Sequence, residues 1–324
     1  MSLPLLPPTP SHAEWPPLRR DYPGWRRALE EICARHGLAA SELTRTREGT
    51  SVVFTTERQV IKLYPPFWAL EGAAERTILG LVDGELGLRT PEVVATGLLE
   101  DWPYLAMTRL PGVVMADVWA SMTESERLRV SYQVGEVLAR LHALPTTALA
   151  AHPELSDRWR QLVTRSIDEC VTIHRGHGAP AAWLAQLPAF FEAVPPLHPP
   201  DFAPVLLHGD LHSWHLLLAE RDGRWSLDGL IDFDSALLGW REYEFAVAML
   251  SFMARRPAVL AECVRGYGAG QLLADDGFPR RLMAYALLNR YWGLDFMLEA
   301  GDPDGRCATF GDLERSLFGA APTR

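Results

Sequence analysis

A chain of 324 residues and 36.1 kDa, 48% hydrophobic and 22% charged, is long enough for two domains or lobes, and its composition excludes wholesale disorder and the fibrous classes. Its net charge is −10, with 20 basic against 28 acidic residues beyond residue 100; that argues against a general nucleic-acid binder and suits a cationic ligand. Of the 31 basic residues 30 are arginine and one is lysine, Lys62, and asparagine occurs once, at Asn289. A lysine that survives such a drift marks a place where a guanidinium does not serve.

The four cysteines, Cys33, Cys170, Cys263 and Cys307, show neither close pairs nor zinc-like spacing, which fits a reducing cytoplasm. The opening MSLPLLPPTP lacks a basic stretch and is broken by prolines, so it does not read as a signal peptide. No apolar run approaches the roughly 18 residues of a membrane span, and no membrane partner is expected.

In chain order, residues 1–18 are Pro-rich and read as a strap on the surface, and Trp25 to His36 has helical spacing that stops at Gly37. Val52 to Thr55 and Gln59 to Tyr64 form a predicted hairpin, Phe67 to Val82 a helix, and Val93 to Leu98 and Tyr104 to Thr108 further strands, ending at the turn Leu110-Pro111-Gly112. Beyond it Thr123 with Glu126 makes a capping box for a helix carrying Leu128, Val134, Val137, Leu138 and Leu141. Trp159, Leu162, Val163, Ile167 and Cys170 give a second helical stripe. A β insert follows at Val205 to Ile231: a strand into His208, a strand at Leu216 to Leu218, a turn at Asp222-Gly223 and a strand at Trp225 to Ile231. Helices resume from Glu242. The expected division is a strap and helix over 1–42, a β-rich N-lobe over 43–110 and a mainly helical C-lobe over 111–324.

The segment LLHGDLHSWHLLL from Leu206 to Leu218, followed by GLIDFD at Gly229 to Asp234, carries the chemistry. Asp210 and Asp232 each end an apolar strand, and the hairpin between them is expected to bring the two carboxylates side by side at a sheet edge facing a cleft. Phosphoryl transfer to a hydroxyl needs one carboxylate near the nucleophile and another on the magnesium that bridges the phosphates. His215, five residues after Asp210, is placed to reach the same metal.

HGDLxxxxxxL followed by IDF, with the earlier Val60-Ile61-Lys62 and LARLHAL, resembles the aminoglycoside phosphotransferase and choline kinase family of the protein-kinase-like fold, over about residues 45 to 255. The resemblance implies an α+β, two-lobed fold with nucleotide bound between a small β-rich lobe and a larger helical one. It implies Asp210 as the catalytic residue and Asp232 as a magnesium ligand. Where the commoner pattern has Asn, this chain has His215, as aminoglycoside 2''-phosphotransferases similarly do. Lys62 falls where the family keeps a lysine on the α and β phosphates, with Glu75 as its expected ion-pair partner and Glu71 as the alternative on the same helical face. Thr50 and Ser51, in a loop with the single glycine Gly49, would offer backbone donors to the phosphates. At the segment resembling the hinge, adenine would bond the backbone at Thr108 and Leu110 with Met107 behind it, which leaves ATP against GTP open.

Bland readings compete at several positions. His208 reads as a structural residue holding the loop through its ring nitrogens, His142 as a packing residue, and His215 as either a metal ligand or a satisfied core histidine. His212 is given no chemistry, Asp234 stands one step back from the metal, and Glu244, where the family usually carries Asp, reads as a conservative structural departure. In Asn289 to Glu299 the residues Trp292, Asp295 and Glu299 are the candidates for holding a cationic or sugar acceptor, against a plain core helix. The expectation is an ATP- and Mg2+-dependent phosphotransferase acting on a hydroxyl of a small, aminoglycoside-like or otherwise cationic molecule, with no nucleic-acid or membrane partner. A metabolite kinase for choline or homoserine and a non-catalytic nucleotide-binding pseudokinase are the alternatives.

Overall fold

The computed structural model describes residues 4–40, 43–46, 49–289 and 293–319. The chain divides into two compact units, Met1–Gly84 with Arg89–Pro111 and Glu85–Leu88 with Gly112–Arg324. The first is small and β-rich and the second larger and mainly helical, as the resemblance implies. No described helix is long and apolar enough to cross a membrane.

In the first unit, α1 (Trp15–Asp21) and α2 (Trp25–His36) precede a five-stranded antiparallel sheet of β1 (Thr44–Thr46), β2 (Val52–Thr55), β3 (Gln59–Leu63), β4 (Val93–Leu99) and β5 (Trp102–Thr108), in the order β1-β2-β3-β5-β4. α2 stops where the spacing predicts, at Gly37 in the left-handed conformation. The β2–β3 hairpin closes on Thr56, whose hydroxyl accepts the amides of Arg58 and Gln59. α3 (Ala69–Val82) follows a short 3-10 turn at Pro66–Trp68.

The Pro-rich opening is largely exposed but is anchored by buried residues. Leu6 and Trp15 are 2% and 4% exposed and belong to the core beneath the sheet, where the Trp15 ring packs on Trp25, Phe67, Trp68 and Trp102. Three buried indoles need acceptors, and they find them in backbone carbonyls: Trp15 donates to Thr50, Trp25 to Arg19 and Trp102 to Pro7. The amides of Leu5 and Leu6 in turn donate to the Glu100 carboxylate. Residues of the opening thus lie in the same unit as the sheet rather than forming a body of their own.

The second unit runs through β6 (Val113–Val114), α4 (Met115–Val118), α5 (Glu124–Ala143), α6 (Pro153–Val163), α7 (Ile167–Gly176), α8 (Ala181–Leu184) and α9 (Leu187–Glu192) into β7 (Val205–Leu207), β8 (Leu216–Arg221), β9 (Arg224–Leu230) and β10 (Leu237–Gly239). It ends in α10 (Tyr243–Ala248), α11 (Pro257–Gly266), α12 (Phe278–Leu288), α13 (Leu294–Gly301) and α14 (Phe310–Phe318). The capping box at Thr123 and Glu126 opens α5 as read. The stripe from Trp159 to Cys170 is carried by two helices, because Ser166 and Glu169 form a second capping box that starts α7 afresh. α5 and α11 touch backbone to backbone: a Cβ on Gly135 would stand 2.0 Å from the Cys263 carbonyl oxygen, and one on Gly266 2.1 Å from that of Tyr132.

Trp15→Ala is expected to cost about 3–5 kcal/mol, the range for truncating a large aromatic core residue. The measurement is thermal unfolding, with a drop on the order of 10 °C expected; an unshifted melting temperature would place the opening segment outside the core.

Candidate functional site

The site in the second unit grows from the loop after β7. β7 pairs with β10, Leu206 opposite Leu238, while β9 pairs with β8 in a separate sheet with β6. Asp210 and Asp232 therefore do not share a sheet edge, contrary to the hairpin reading, because the apolar β7 takes its partner from a strand the sequence pattern did not reveal.

What brings the two aspartates together is a set of hydrogen bonds around His208, His215 and Ile231. His208, fully buried, lies 3.0 Å through Nε2 from the Ile231 carbonyl and accepts the Asp210 amide at Nδ1. Burial pushes its pKa down, so the ring is neutral. The Ile231 amide donates to the His215 carbonyl at 3.0 Å, which ties the two halves of the site through one residue. His215 Nδ1 lies 2.9 Å from the Asp210 carbonyl, and its Nε2 lies 3.3 Å from Asp232 Oδ2. Burial alone would push the His215 pKa down, but Asp232 and Asp210 outweigh it and hold the imidazole up at about 9.

Asp210 is partly buried. Desolvation raises its pKa, yet the N–H of His212 and the charge of His215 more than offset this and keep the carboxyl below its usual range. Asp232 sits at φ 70°, in the left-handed region that a non-glycine residue enters only when its surroundings hold it there. Just beyond it, Arg158 donates to the carbonyls of Asp234 and Ala236.

Glu244 does more than the sequence reading allowed. It is fully buried on α10 and accepts the amides of His208 and Gly209 at 2.5 and 3.0 Å. Gly209 is at φ 81°, and a Cβ there would stand 2.2 Å from the Ser235 carbonyl oxygen, so only glycine fits. His142 lies 3.5 Å from Glu244 through Nε2 and 2.9 Å from the Tyr267 hydroxyl through Nδ1. α10 runs on into a π-helical turn, Met249–Met253, where Ser251 accepts the Ser213 amide at 2.9 Å. The only signal for Glu244 in the sequence was its place after the IDF segment.

In the first unit the sole lysine is buried on β3. Lys62 Nζ contacts both oxygens of Glu75 on α3, at 2.8 and 3.1 Å, and the Tyr64 hydroxyl donates to the same carboxylate. Of the two glutamates weighed, Glu75 takes the position. Of the loop expected over phosphates, Arg47 and Glu48 lie outside the described residues, Thr50 is exposed with its carbonyl held by the Trp15 indole, and Ser51 is buried. Met107 is buried in β5. In the segment resembling a hinge, the amides of Thr108 and Arg109 donate to the carbonyls of Glu92 and Arg58.

Of the acceptor candidates, Trp292 lies outside the described residues. Asp295 and Glu299 are exposed, one helical turn apart on α13, with His177 Nδ1 3.9 Å from Asp295. Sequence reasoning missed His174: fully buried, its Nε2 lies 2.9 Å from the Leu287 carbonyl, and its Nδ1 accepts the Leu294 amide.

His215 Nε2 and Asp232 Oδ2 fit a divalent cation. Neighbouring ligands of an octahedral ion bonded at about 2.1 Å stand about 3 Å apart, and the Asp210 carbonyl orients the ring from behind, as metal-binding histidines require. In metal-free protein His215 has a folded pKa of about 9, above the roughly 6.5 of an unfolded histidine. Its stabilising contribution is complete below the lower value and lost as pH rises through the upper one. Chelator-treated protein should therefore lose melting temperature between about pH 7 and pH 9.5, and His215→Gln should remove that slope; equal slopes would separate the effect from His215.

The model of a family described as the phosphotransferase enzyme family matches residues 41–282. Over 188 residues the chain is 27% identical to viomycin phosphotransferase of Streptomyces vinaceus, a match spanning 52% of this chain and 58% of that protein. The wild-type aminoglycoside 2'-phosphotransferase-IIIa in its GDP complex has a similar structure, with a TM-score of 0.66 at 18% identity over 90% of this chain and 97% of that one. A macrolide 2'-phosphotransferase from Brachybacterium faecium aligns with a TM-score of 0.54 at 20% identity over 91% and 99%. These structural likenesses show a shared kinase-like fold.

Proposed function

The chain belongs to the phosphotransferase enzyme family, and from that premise we propose that it transfers the γ-phosphate of ATP, with GTP as the alternative donor, to a hydroxyl of a small cationic acceptor of the aminoglycoside kind. The observation that carries this reading is the second unit's constellation: Asp210 on a loop clamped at both ends, next to a nitrogen–carboxylate pair suited to a divalent cation. Support for the donor comes from neighbours solved with GDP and with ATP. Support for the acceptor comes from neighbours solved with kanamycin and gentamicin and from the acidic balance of this chain.

Asp210 would orient the acceptor hydroxyl and take its proton late, because a loose phosphoryl transition state asks little of a base. Lys62, steadied by both oxygens of Glu75, would place a compact positive charge on the α and β phosphates, where a planar guanidinium needs a different geometry. Backbone groups of Thr50 and Ser51 would cover the phosphates, and the Thr108 carbonyl and Leu110 amide would receive the base in front of Met107. A divalent cation, Mg2+ by the family resemblance, would be held by His215 and Asp232 and would neutralise charge on the phosphates. Asp295 and Glu299, with Trp292, would take amino groups of the acceptor.

Turnover of ATP with Mg2+ across kanamycin, gentamicin, streptomycin, viomycin, a macrolide, choline and homoserine, with phosphorylated product read by mass spectrometry, tests the reading and separates the metabolite-kinase alternative. A nucleotide-binding protein with no turnover on any of them would favour the pseudokinase. Asp210→Asn is expected to abolish phosphorylation while ADP still binds; retained turnover sinks the assignment of Asp210. Lys62→Arg, nominally mild, is expected to cut kcat/KM at least tenfold, and a wild-type rate would make the sole lysine an accident of composition.

A further inference from the structure

Above, His212 enters only through its effect on the Asp210 charge, although it is nearly buried beside Asp210, its ring against that of His215 at a centroid distance of 3.9 Å. A neutral imidazole has one nitrogen that donates and one that accepts. The Trp214 amide points its N–H at His212 Nδ1 from 3.1 Å, so Nδ1 keeps its lone pair and the ring proton sits on Nε2. That nitrogen faces Asp210 Oδ2 at 3.4 Å. The loop gives the ring no reason to flip. The Ser213 amide is held by Ser251, the Ser213 carbonyl accepts the Ala116 amide, and the His212 carbonyl accepts the His215 amide. A flipped ring would turn a carbon toward the Trp214 N–H.

We propose that His212 is a positioning residue of phosphoryl transfer: its Nε2–H holds Oδ2 of Asp210 and so presents Oδ1 to the acceptor hydroxyl. The inference rests on Asp210 as the group that orients that hydroxyl. A rival use of the same atoms is a metal site, since Asp210, His212 and His215 offer ligand atoms within 4.8 Å of one another. A ligating nitrogen must carry no proton, and the Trp214 amide puts the proton on the very nitrogen that would have to ligate. His215 is engaged in the same sense, its Nδ1 turned to the Asp210 carbonyl, which leaves only its Nε2 for a cation, on the Asp232 side.

The test uses the full-length protein. His212→Ala should lower kcat on the order of tenfold to a hundredfold, with KM for ATP, ADP affinity and Mn2+ affinity by calorimetry all unchanged. His212→Gln, which can still donate from a nitrogen near the place of Nε2, should recover most of the loss and serves as the folded control if the alanine variant does not fold. Independently of activity, long-range 1H–15N spectra of wild type should show the His212 proton on Nε2. Unchanged kcat in both variants, loss of Mn2+ affinity in His212→Ala, or a proton on Nδ1 would each overturn the proposal. Turnover by Asp210→Asn would instead overturn the reading on which it rests, so the two failures are distinguishable.

Discussion

A carboxylate with no exposed surface, Glu244, governs the geometry of the loop that carries Asp210. Burying a carboxylate is unfavourable unless hydrogen bonds replace its water, and two consecutive amides, those of His208 and Gly209, supply them. Adjacent amides converge on one acceptor only if the backbone leaves the regular β conformation, and Gly209 does so at φ 81° against the Ser235 carbonyl. The chain thus turns sharply at the end of β7, and Asp210 follows directly from that turn. The Glu244 carboxylate is the common acceptor of the turn.

The rest of the site follows from that turn. With His208 oriented, its ring spans from the Asp210 amide to the Ile231 carbonyl, and Ile231 reaches back through its own amide to the carbonyl of His215. Two segments remote in sequence are joined through backbone groups, whose positions do not vary with rotamer. Strain at Asp232 is tolerated because both sides are held, by Ile231 before it and by the carbonyls of Asp234 and Ala236 on Arg158 after it. The same economy of means appears in the first unit, where Glu75 receives Lys62 and Tyr64 together, so the lysine meets a carboxylate that is itself held in place.

Legibility in the sequence tracked the range of the interaction. Lys62 stood out as the sole lysine and Glu75 was expected from the family resemblance, with Glu71 left open until the folded contact chose between them, and the capping box at Thr123 was readable because it lies within four residues. Paired HGD and IDF segments marked Asp210, His215 and Asp232. The partner of β7 was not readable, since three apolar residues carry no register information and β10 is equally short. Trp15 escaped because prolines suggest a loose surface segment, whereas its indole is held by the Thr50 carbonyl and the neighbouring Pro7 carbonyl holds the Trp102 indole. His212 escaped because its role depends on a tautomer that Trp214 decides.

By itself, then, the sequence determined which chemical groups are present and roughly where: one lysine on a buried strand, two aspartates and a histidine at strand ends, and a two-lobed kinase-like fold to carry them. Only the tertiary structure decided how those groups are aimed. That Asp232 meets His215 rather than lying beside Asp210 on a sheet, that Glu244 clamps the turn, and that His212 turns a donor toward Asp210 all depend on hydrogen bonds between atoms far apart in the chain. The physical reason is directionality. Hydrophobic burial tolerates many arrangements and leaves a periodic trace in the sequence, while a hydrogen bond holds only at one distance and angle that the folded backbone alone supplies.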